Sequence, residues 1–222
     1  MQQTPIHDNF NPDLLELIPT TLRRIVEVGS SSGALARAYR NRNPACEYVG
    51  IEINPDYAER SRNGCTEVVC GNIENLEDDV FMRLFPSDCW IFGDALEHLY
   101  DPWAVLRRIR AHLPKMSQVI ACIPNAQHWS MQVSLNSGQF NYQDSGLLDR
   151  THLRWFTRIT IIKLFESTGY RIVQGMPRIF DEPEREKVLP FIRAMALAIG
   201  ADPQQAVDDS LPLQWLVRAV PV

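Results

Sequence analysis

The feature that most constrains the fold is a regular alternation of short apolar segments with amphipathic ones. The apolar segments are nearly continuous runs, as in "RRIVEVG", "EYVGIEI" and "DCWIFGDA". The stretches between them have apolar side chains at helical spacing, and two begin with an Asn-Pro pair that suits a helix N-terminus. Strands that are apolar throughout indicate a parallel sheet with both faces covered. We therefore predict a single α/β domain over residues 1–222, with a doubly wound, mostly parallel seven-stranded sheet and helices on both faces.

The order of the predicted elements identifies two segments that lie outside the regular alternation. Strands are expected at 23–29, 47–53, 66–70, 88–95, 117–125, 170–176 and 211–220. Helices are expected at 12–17, 33–41, 54–62, in the acidic stretch before Phe85, at 101–112, 157–169 and 184–200. Residues 126–157 begin with little periodic pattern, and we interpret them as a covering segment on the substrate side. Residues 181–207 form an insertion before the last strand that suits a substrate lid, a homodimer surface or plain decoration of the fold.

Charge and cysteine usage exclude several classes of protein. A net charge of −5 disfavours a general nucleic-acid surface. No segment approaches the ~18 apolar residues of a membrane span, and "MQQTPIHDNF" lacks the basic start and apolar run of a signal peptide. The five cysteines form no C-x-x-C pair, so we expect reduced thiols rather than disulfides or a zinc site. These features predict a cytoplasmic protein.

The segment "VEVGSSSGAL", residues 26–35, forms the predicted turn between the first strand and the following helix. Ligands of open parallel sheets commonly bind at this turn. A dinucleotide-binding loop would need glycine at 29 and 31 and glycine or alanine at 34, and the chain supplies glycine, serine and alanine. The pattern acid-x-Gly-x-Gly-x-Gly fits better, because Glu27, Gly29 and Gly33 match it and only Ser31 departs.

Two acidic residues narrow the type of ligand. A carboxylate at Glu27, beside the tight turn, would repel a pyrophosphate and would favour a ligand with an ammonium group. Glu52 stands at the end of the second strand, where a carboxylate can accept hydrogen bonds from both hydroxyls of a ribose. Together with the glycine turn, these acids predict a nucleoside ligand that carries a positive charge.

These motifs resemble those of class I S-adenosylmethionine-dependent methyltransferases, and the resemblance covers nearly the whole chain. It implies S-adenosyl-L-methionine as the cofactor. The implied contacts to its methionine part are Glu27, Gly29, Ser31 and Gly33, and the implied ribose contact is Glu52. The implied contacts around the adenine and the rest of the pocket are Ile53, Asn72, Ile73 and Asp94. Asn72 stands in "GNIENL" where the family often has aspartate.

The segment "FGDALEHLYDPW" after the fourth predicted strand resembles ubiquinone-pathway O-methyltransferases, which carry an acid-x-x-acid-His set at this place. Asp94, Glu97 and His98 match that spacing. Three interpretations are open: positioning of the next helix and the cofactor pocket, direct acid–base catalysis, or metal binding together with His152, as in small-RNA 3′-terminal methyltransferases. We favour the first interpretation and predict no metal site.

The segment "GLLDRTHLRWFT", residues 146–157, resembles one found in bacterial small-molecule methyltransferases, including those attached to glycosyltransferases. Asp149 and His152 are close enough for the acid to orient the imidazole, and a histidine suits proton removal from a hydroxyl near neutral pH. We therefore predict His152 and Asp149 as the catalytic pair, with His128 as the alternative base. The structural alternative is that His152 and its neighbours tie the covering segment to the sheet.

The sequence thus predicts a bacterial, cytoplasmic enzyme that transfers a methyl group to a hydroxyl of a small molecule or saccharide, without a membrane or nucleic-acid partner. Two other functions are consistent with it. The substitutions at Ser31 and Asn72 would suit a non-catalytic partner subunit that still binds the cofactor. The acid-x-x-acid-His set would suit a metal-dependent RNA methyltransferase.

Overall fold

The computed structural model describes residues 4–222, which form a seven-stranded sheet in the order β3-β2-β1-β4-β5-β7-β6. Strands β1 to β5 are parallel, whereas β7 runs antiparallel to both of its neighbours, β5 and β6. The strands are β1 Arg24–Val28, β2 Glu47–Glu52, β3 Glu67–Cys70, β4 Cys89–Gly93, β5 Gln118–Pro124, β6 Tyr170–Arg178 and β7 Gln214–Pro221. The doubly wound, mostly parallel sheet predicted from the sequence is confirmed.

The helices alternate with the strands as expected. They are α1 Pro12–Leu17, α2 Ala34–Arg42, α3 Pro55–Ser61, α4 Asp78–Met82, α5 Pro102–Arg110, α6 Trp129–Asn136, α7 Arg158–Ser167, α8 Leu189–Ala198 and α9 Pro203–Ser210. Short 3₁₀ turns lie at Ile73–Asn75, Leu96–His98 and Pro183–Lys187. The Asn-Pro pairs begin their helices by capping, since the Asn11 and Asn54 side chains each accept hydrogen bonds from two backbone N–H groups of the first turn.

Each strand in the centre of the sheet buries side chains on both faces, which explains its continuous apolar sequence. Val26 and Val28 of β1 belong to a core that also includes residues of α5 and α7. Ile25 of the same strand belongs to a second core, shared with α1, α2 and α3. Successive side chains along a strand point to opposite faces of the sheet. A strand that contributes to a core on each face therefore needs apolar residues at both its odd and its even positions. Because the strands present apolar side chains on both faces, helices must cover both faces of the sheet.

The chain reverses direction across the sheet at β1. It proceeds outward from β1 to β2 and β3, and then crosses back to place β4 on the other side of β1. The connections that leave the ends of β1 and β4 therefore turn away from each other and leave a crevice between them, which is the usual ligand site of such sheets. The glycine turn after β1 opens into this crevice.

The two segments outside the alternation contain more helix than the sequence suggested. The covering segment, residues 126–157, contains α6, in which only Met131 is buried and the apolar side chains follow no single face. The insertion, residues 181–207, contains a 3₁₀ turn, α8 and most of α9 instead of one helix. Periodicity could not predict α6 because a helix without an apolar face has no periodic signal.

Two further expectations can be compared with the described residues. All five cysteines are unpaired thiols, four of them buried, which agrees with the sequence-based expectation. Within residues 4–222 no helix combines the length and the apolar character that a membrane span requires.

A glycine in β2 makes room for the packing beneath the glycine turn. A Cβ at Gly50 would lie 2.6 Å from Ser30 Oγ and 2.8 Å from Cys65 Sγ. We expect Gly50→Ala to lower the free energy of unfolding by about 1–3 kcal/mol, because the added methyl has no space. Gly175→Ala in β6 is the matched control, since a Cβ there meets nothing within 4 Å. Urea unfolding of both variants tests this, and equal stabilities of the two would contradict it.

Candidate functional site

The glycine turn bends by means of left-handed backbone at alternate positions. The φ angles are +78° at Gly29, +48° at Ser31 and +72° at Gly33. Gly29 N donates to Ile51 O at 2.8 Å, which holds the start of the turn against β2. At Gly33 a Cβ would lie 2.7 Å from Ser61 O of α3, so only glycine fits. Ser31 adopts the left-handed conformation without being glycine, at a cost of roughly 1–2 kcal/mol.

Glu52, at the end of β2, holds the middle of the turn. Its Oε2 accepts a hydrogen bond from Ser31 N at 2.9 Å, and its Oε1 accepts one from Asn54 N at 3.0 Å. Only 4% of Glu52 is exposed. The next residue, Ile53, is 44% exposed and presents an apolar surface beside the crevice. The acid and the apolar residue that the sequence singled out therefore lie next to the turn.

Glu27 is a buried acid in the middle of the sheet. It lies in β1 opposite Gly50 of β2 and is 5% exposed. Its Oε2 accepts no hydrogen bond of good geometry among the residues that the structure describes, although the Tyr48 hydroxyl lies nearby. Burial raises the pKa of Glu27 to about 8; the charge of Glu52 adds to this shift and the Tyr48 hydroxyl opposes it. A positively charged partner would relieve this cost.

The segment after β3 contributes less to the crevice than the sequence suggested. Asn72 Oδ1 accepts a hydrogen bond from Glu74 N at 3.0 Å, so this side chain caps the 3₁₀ turn Ile73–Asn75. Ile73 is 3% exposed and packs in the core. Asn72 is half-buried, and of these two side chains it is the one that remains accessible to a ligand.

Asp94 follows β4 at the opposite side of the crevice. Its φ angle is +55°, a second left-handed position without glycine. Its Oδ1 accepts hydrogen bonds from Gln214 and from the Cys122 thiol. Asp94 is exposed in the unligated protein. Partial removal from water by the neighbouring residues raises the pKa of Asp94 to about 6, against the opposing hydrogen bond of Cys122 and the charge of Arg178.

The 3₁₀ turn after Asp94 meets the covering segment through the backbone. The carbonyl oxygen of Glu97 accepts hydrogen bonds from Leu153 N at 2.9 Å and Arg154 N at 3.0 Å. These bonds bring His152 Nε2 to 4.0 Å from Glu97 Oε1. The ring centroids of His98 and His152 lie 4.8 Å apart. Glu97, His98 and His152, which we call the acceptor cluster, thus come together from two distant parts of the sequence.

Asp149 and His152 do not form the hydrogen-bonded pair that the sequence predicts. Asp149 accepts hydrogen bonds from Thr151 N and from Thr4 Oγ1, both at 2.8 Å, and makes no hydrogen bond with the His152 ring among the described residues. His152 Nδ1 instead lies 3.3 Å from the carbonyl oxygen of Leu147. Burial and the neighbouring His98 lower the pKa of His152. The ring is therefore neutral near pH 7, with its proton on Nδ1 and a lone pair on Nε2.

His128, the predicted alternative base, lies within a network of its own. It is fully buried and caps α6, with Nδ1 2.8 Å from Ser130 Oγ. Its Nε2 lies 3.2 Å from Glu182 Oε2, and Trp129 Nε1 donates to the same oxygen at 3.0 Å. Both ring nitrogens are thus engaged, and burial lowers the pKa of His128. These contacts join the covering segment to the insertion.

Several residues of the site gave no signal in the sequence. The clearest examples are three hydrogen-bond partners: Gln214 for Asp94, Glu182 for His128, and Thr4 for Asp149. Thr4 also accepts through its carbonyl oxygen a hydrogen bond from Tyr57 Oη at 3.2 Å. Each of these contacts joins residues more than fifty positions apart, so no local spacing could indicate it.

Comparison with known families identifies the class of protein. Residues 7–175 match the family described as "Methyltransferase domain". The chain belongs to this family, and it is an S-adenosylmethionine-dependent methyltransferase with a Rossmann-like fold. The prediction of the enzyme class and of its cofactor is thereby confirmed. Among curated proteins, none matches the sequence.

Solved structures show the same fold at low sequence identity. Mitomycin 7-O-methyltransferase MmcR is 16% identical with a TM-score of 0.58, over 94% of this chain and 52% of that one. The O-methyltransferase NcsB1, in complex with S-adenosylmethionine and 2-hydroxy-5-methyl naphthoic acid, is 12% identical with a TM-score of 0.59, over 95% and 52%. A methyltransferase from Mesorhizobium loti is 15% identical with a TM-score of 0.60, over 94% and 96%. The chain therefore spans about half the length of the first two proteins.

The raised pKa of Glu27 in β1 can be tested by measuring how the free energy of unfolding depends on pH. Because its folded-state pKa is raised from 4.5 to about 8, Glu27 destabilises the unligated fold progressively as the pH rises between these values. We expect Glu27→Gln to gain stability over the wild type by at most about 1.4 kcal/mol per pH unit in that window, and nothing below it. Urea unfolding from pH 4 to pH 8.5 measures the difference. The exposed Glu67→Gln is the control, and a pH-independent gain at Glu27 would contradict the assignment.

Proposed function

We propose that the protein methylates a hydroxyl group of a small-molecule or saccharide acceptor. The observation that carries this proposal is the acceptor cluster beside Asp94, because Glu97, His98 and His152 place several proton-accepting atoms at the edge where the cofactor loop lies. Mitomycin 7-O-methyltransferase and NcsB1, which share the fold, are O-methyltransferases. The saccharide class rests on the resemblance of residues 146–157 to glycosyltransferase-linked enzymes.

On the cofactor side, we assign the methionine part to the glycine turn and Glu27, and the ribose to Glu52. The unpaired Oε2 of Glu27 suits an ammonium group, whose charge would lower the raised pKa of this acid. Asn72 already uses its oxygen on Glu74 N, so its amide would donate to a ring nitrogen of adenine. The other residues assigned to the adenine and the pocket wall are Ile53 and Asp94, whereas the predicted contact Ile73 is buried in the core.

On the acceptor side, the protein has to align a hydroxyl and take up its proton. S-adenosylmethionine supplies a methyl group that its sulfonium charge already activates. His152 presents the Nε2 lone pair, and the Leu147 carbonyl keeps its tautomer in place. Asp149 supports the same loop through Thr151 and Thr4. His128 stays the alternative base, although both of its ring nitrogens are engaged.

The covering segment and the insertion are proposed to enclose the acceptor together. Residues 126–157 contribute His152 and contact residues 181–207 through the Glu182 carboxylate, which binds His128 and Trp129. The lid interpretation of the insertion is therefore preferred here. A homodimer through the same segment, a bacterial source and a cytoplasmic location stay predictions from the sequence.

The proposed division between cofactor and acceptor residues can be tested by binding. We expect Glu52→Gln to weaken S-adenosylhomocysteine binding by about 10- to 100-fold, because one charge-assisted acceptor for the ribose is lost. His152→Gln should bind this product as the wild type does. Isothermal titration of both variants measures the difference. Equal binding by Glu52→Gln and wild type would refute the ribose assignment.

The acceptor class can be tested with radiolabelled S-adenosylmethionine against a panel of saccharides, phenols and RNA. We expect methyl ether formation on saccharides or phenols, and a loss of about 10²- to 10⁴-fold in kcat for His152→Gln, as for removal of a general base. Transfer to RNA alone would favour the RNA methyltransferase. Binding of S-adenosylhomocysteine without transfer to any acceptor would instead indicate a non-catalytic partner subunit.

A further inference from the structure

We propose that the acceptor cluster of Glu97, His98 and His152 binds a divalent transition-metal cation of the zinc class. One ligand-capable atom from each of the three residues lies within 4.8 Å of the other two. Two imidazole nitrogens and one carboxylate oxygen form a ligand set that suits Zn²⁺ and its neighbours, whereas Mg²⁺ and Ca²⁺ prefer oxygen ligands. The inference reverses the sequence-based expectation that the protein has no metal site.

The distances between the three candidate ligand atoms need to shorten only slightly for a cation to be bound. Tetrahedral zinc with bonds of about 2.0–2.2 Å holds neighbouring ligand atoms roughly 3.3 Å apart. His152 Nε2 and Glu97 Oε1 lie 4.0 Å apart, and no separation between the three ligand atoms exceeds 4.8 Å. Side-chain shifts of roughly an ångström or less therefore bring the atoms to that spacing. Glu97 and His98 are adjacent on one 3₁₀ turn, and the bonds from Leu153 N and Arg154 N to the Glu97 carbonyl hold the loop of His152 against it.

The protonation of both histidines suits metal binding. His98 Nδ1 lies 3.2 Å from the carbonyl oxygen of Thr151, and His152 Nδ1 lies 3.3 Å from that of Leu147. A carbonyl oxygen only accepts, so each Nδ1 carries the proton and each Nε2 keeps its lone pair. Backbone carbonyls on the second ring nitrogen are the usual means by which proteins orient metal-binding histidines.

Glu97 supplies the independent indication of a missing partner. The residue is 1% exposed, and neither carboxylate oxygen has a hydrogen-bond partner anywhere in residues 4–222. A buried carboxylate without a partner is costly unless it meets a proton or a cation. A proton on Glu97 would have to reach His152 Nε2 across 4.0 Å, which is too long for a hydrogen bond. A cation between the side chains satisfies all three groups at once.

Three protein ligands leave one position open, as in catalytic zinc sites. Asp94 is the nearest candidate for a fourth protein ligand, but its Oδ1 already accepts hydrogen bonds from Gln214 and from the Cys122 thiol. The cluster follows Ala95, whose Cβ would be 3.5 Å from a Cβ at Gly29, so it adjoins the cofactor turn. On the proposed function, a cation held by these residues would leave the open position to the acceptor hydroxyl and would lower its pKa, so that its proton would pass to solvent. His152 is then a ligand and not the base.

The test begins with binding to chelator-treated protein, titrated with Zn²⁺ by calorimetry. We expect one ion per chain, with affinity at least 100-fold weaker in Glu97→Gln and in His152→Gln. His112→Gln is the matched control, since His112 is exposed and packs against Phe85 at the amino ends of β4 and β5, opposite the carboxyl ends where the acceptor cluster lies. It should bind as the wild type does. Binding that is absent in the wild type, or that survives Glu97→Gln, overturns the proposal.

A second measurement needs no variant and so does not depend on how the substituted proteins fold. Wild-type protein loaded with Co²⁺ should show two exchangeable imidazole N–H resonances with paramagnetic shifts, one from each Nδ1. Fewer than two overturns the proposed ligand set. Methyl transfer and S-adenosylhomocysteine binding are measured on the same samples with and without chelator. Transfer that persists in metal-free protein overturns the proposed role of the cation in activating the acceptor and leaves the proposed function standing, whereas failure to bind S-adenosylhomocysteine refutes the proposed function itself.

Discussion

The reversal of strand order at β1 is the constraint on which the rest of the structure depends. Because β2 and β4 lie on opposite sides of β1, the connections after β1 and β4 diverge and leave a crevice between them. The glycine turn enters this crevice from one side, and the segment from Asp94 to His98 enters it from the other. The glycine turn is therefore a neighbour of Glu97 and His98 in the acceptor cluster, although about seventy residues of sequence separate them.

The crevice concentrates acids that the fold by itself does not stabilise. Glu52 is compensated by backbone N–H groups, but Glu27 and Glu97 are buried with oxygens that lack donors within the described chain. Burial raises the pKa of both acids. Proteins tolerate the unfavourable free energy of burying a carboxylate mainly at sites where a bound ligand relieves it. An ammonium group at Glu27 and a cation at Glu97 would each do so, and each would couple ligand binding to stability.

Sequence reasoning reached the cofactor side of the site and only part of the acceptor side. Glu27, Gly29, Gly33 and Glu52 were found because their spacing along one strand–turn–helix unit determines their positions. The same kind of spacing predicts Asp149 and His152 as a pair. In the structure, the Asp149 carboxylate accepts hydrogen bonds from Thr4 and Thr151, while the His152 imidazole faces Glu97. Spacing indicates which residues are close, and it does not indicate which way a loop side chain points.

The sequence by itself determined the parallel sheet with two covered faces, the helix starts at Asn-Pro pairs and the acid-flanked glycine turn, because these follow from local periodicity and backbone conformation. Only the tertiary structure decided what surrounds the acceptor. The backbone bonds from Leu153 and Arg154 to Glu97 join segments about fifty residues apart, and the bond from Thr4 to Asp149 spans 145 residues. Such contacts depend on how loops pack against a finished sheet, and no local pattern records that packing.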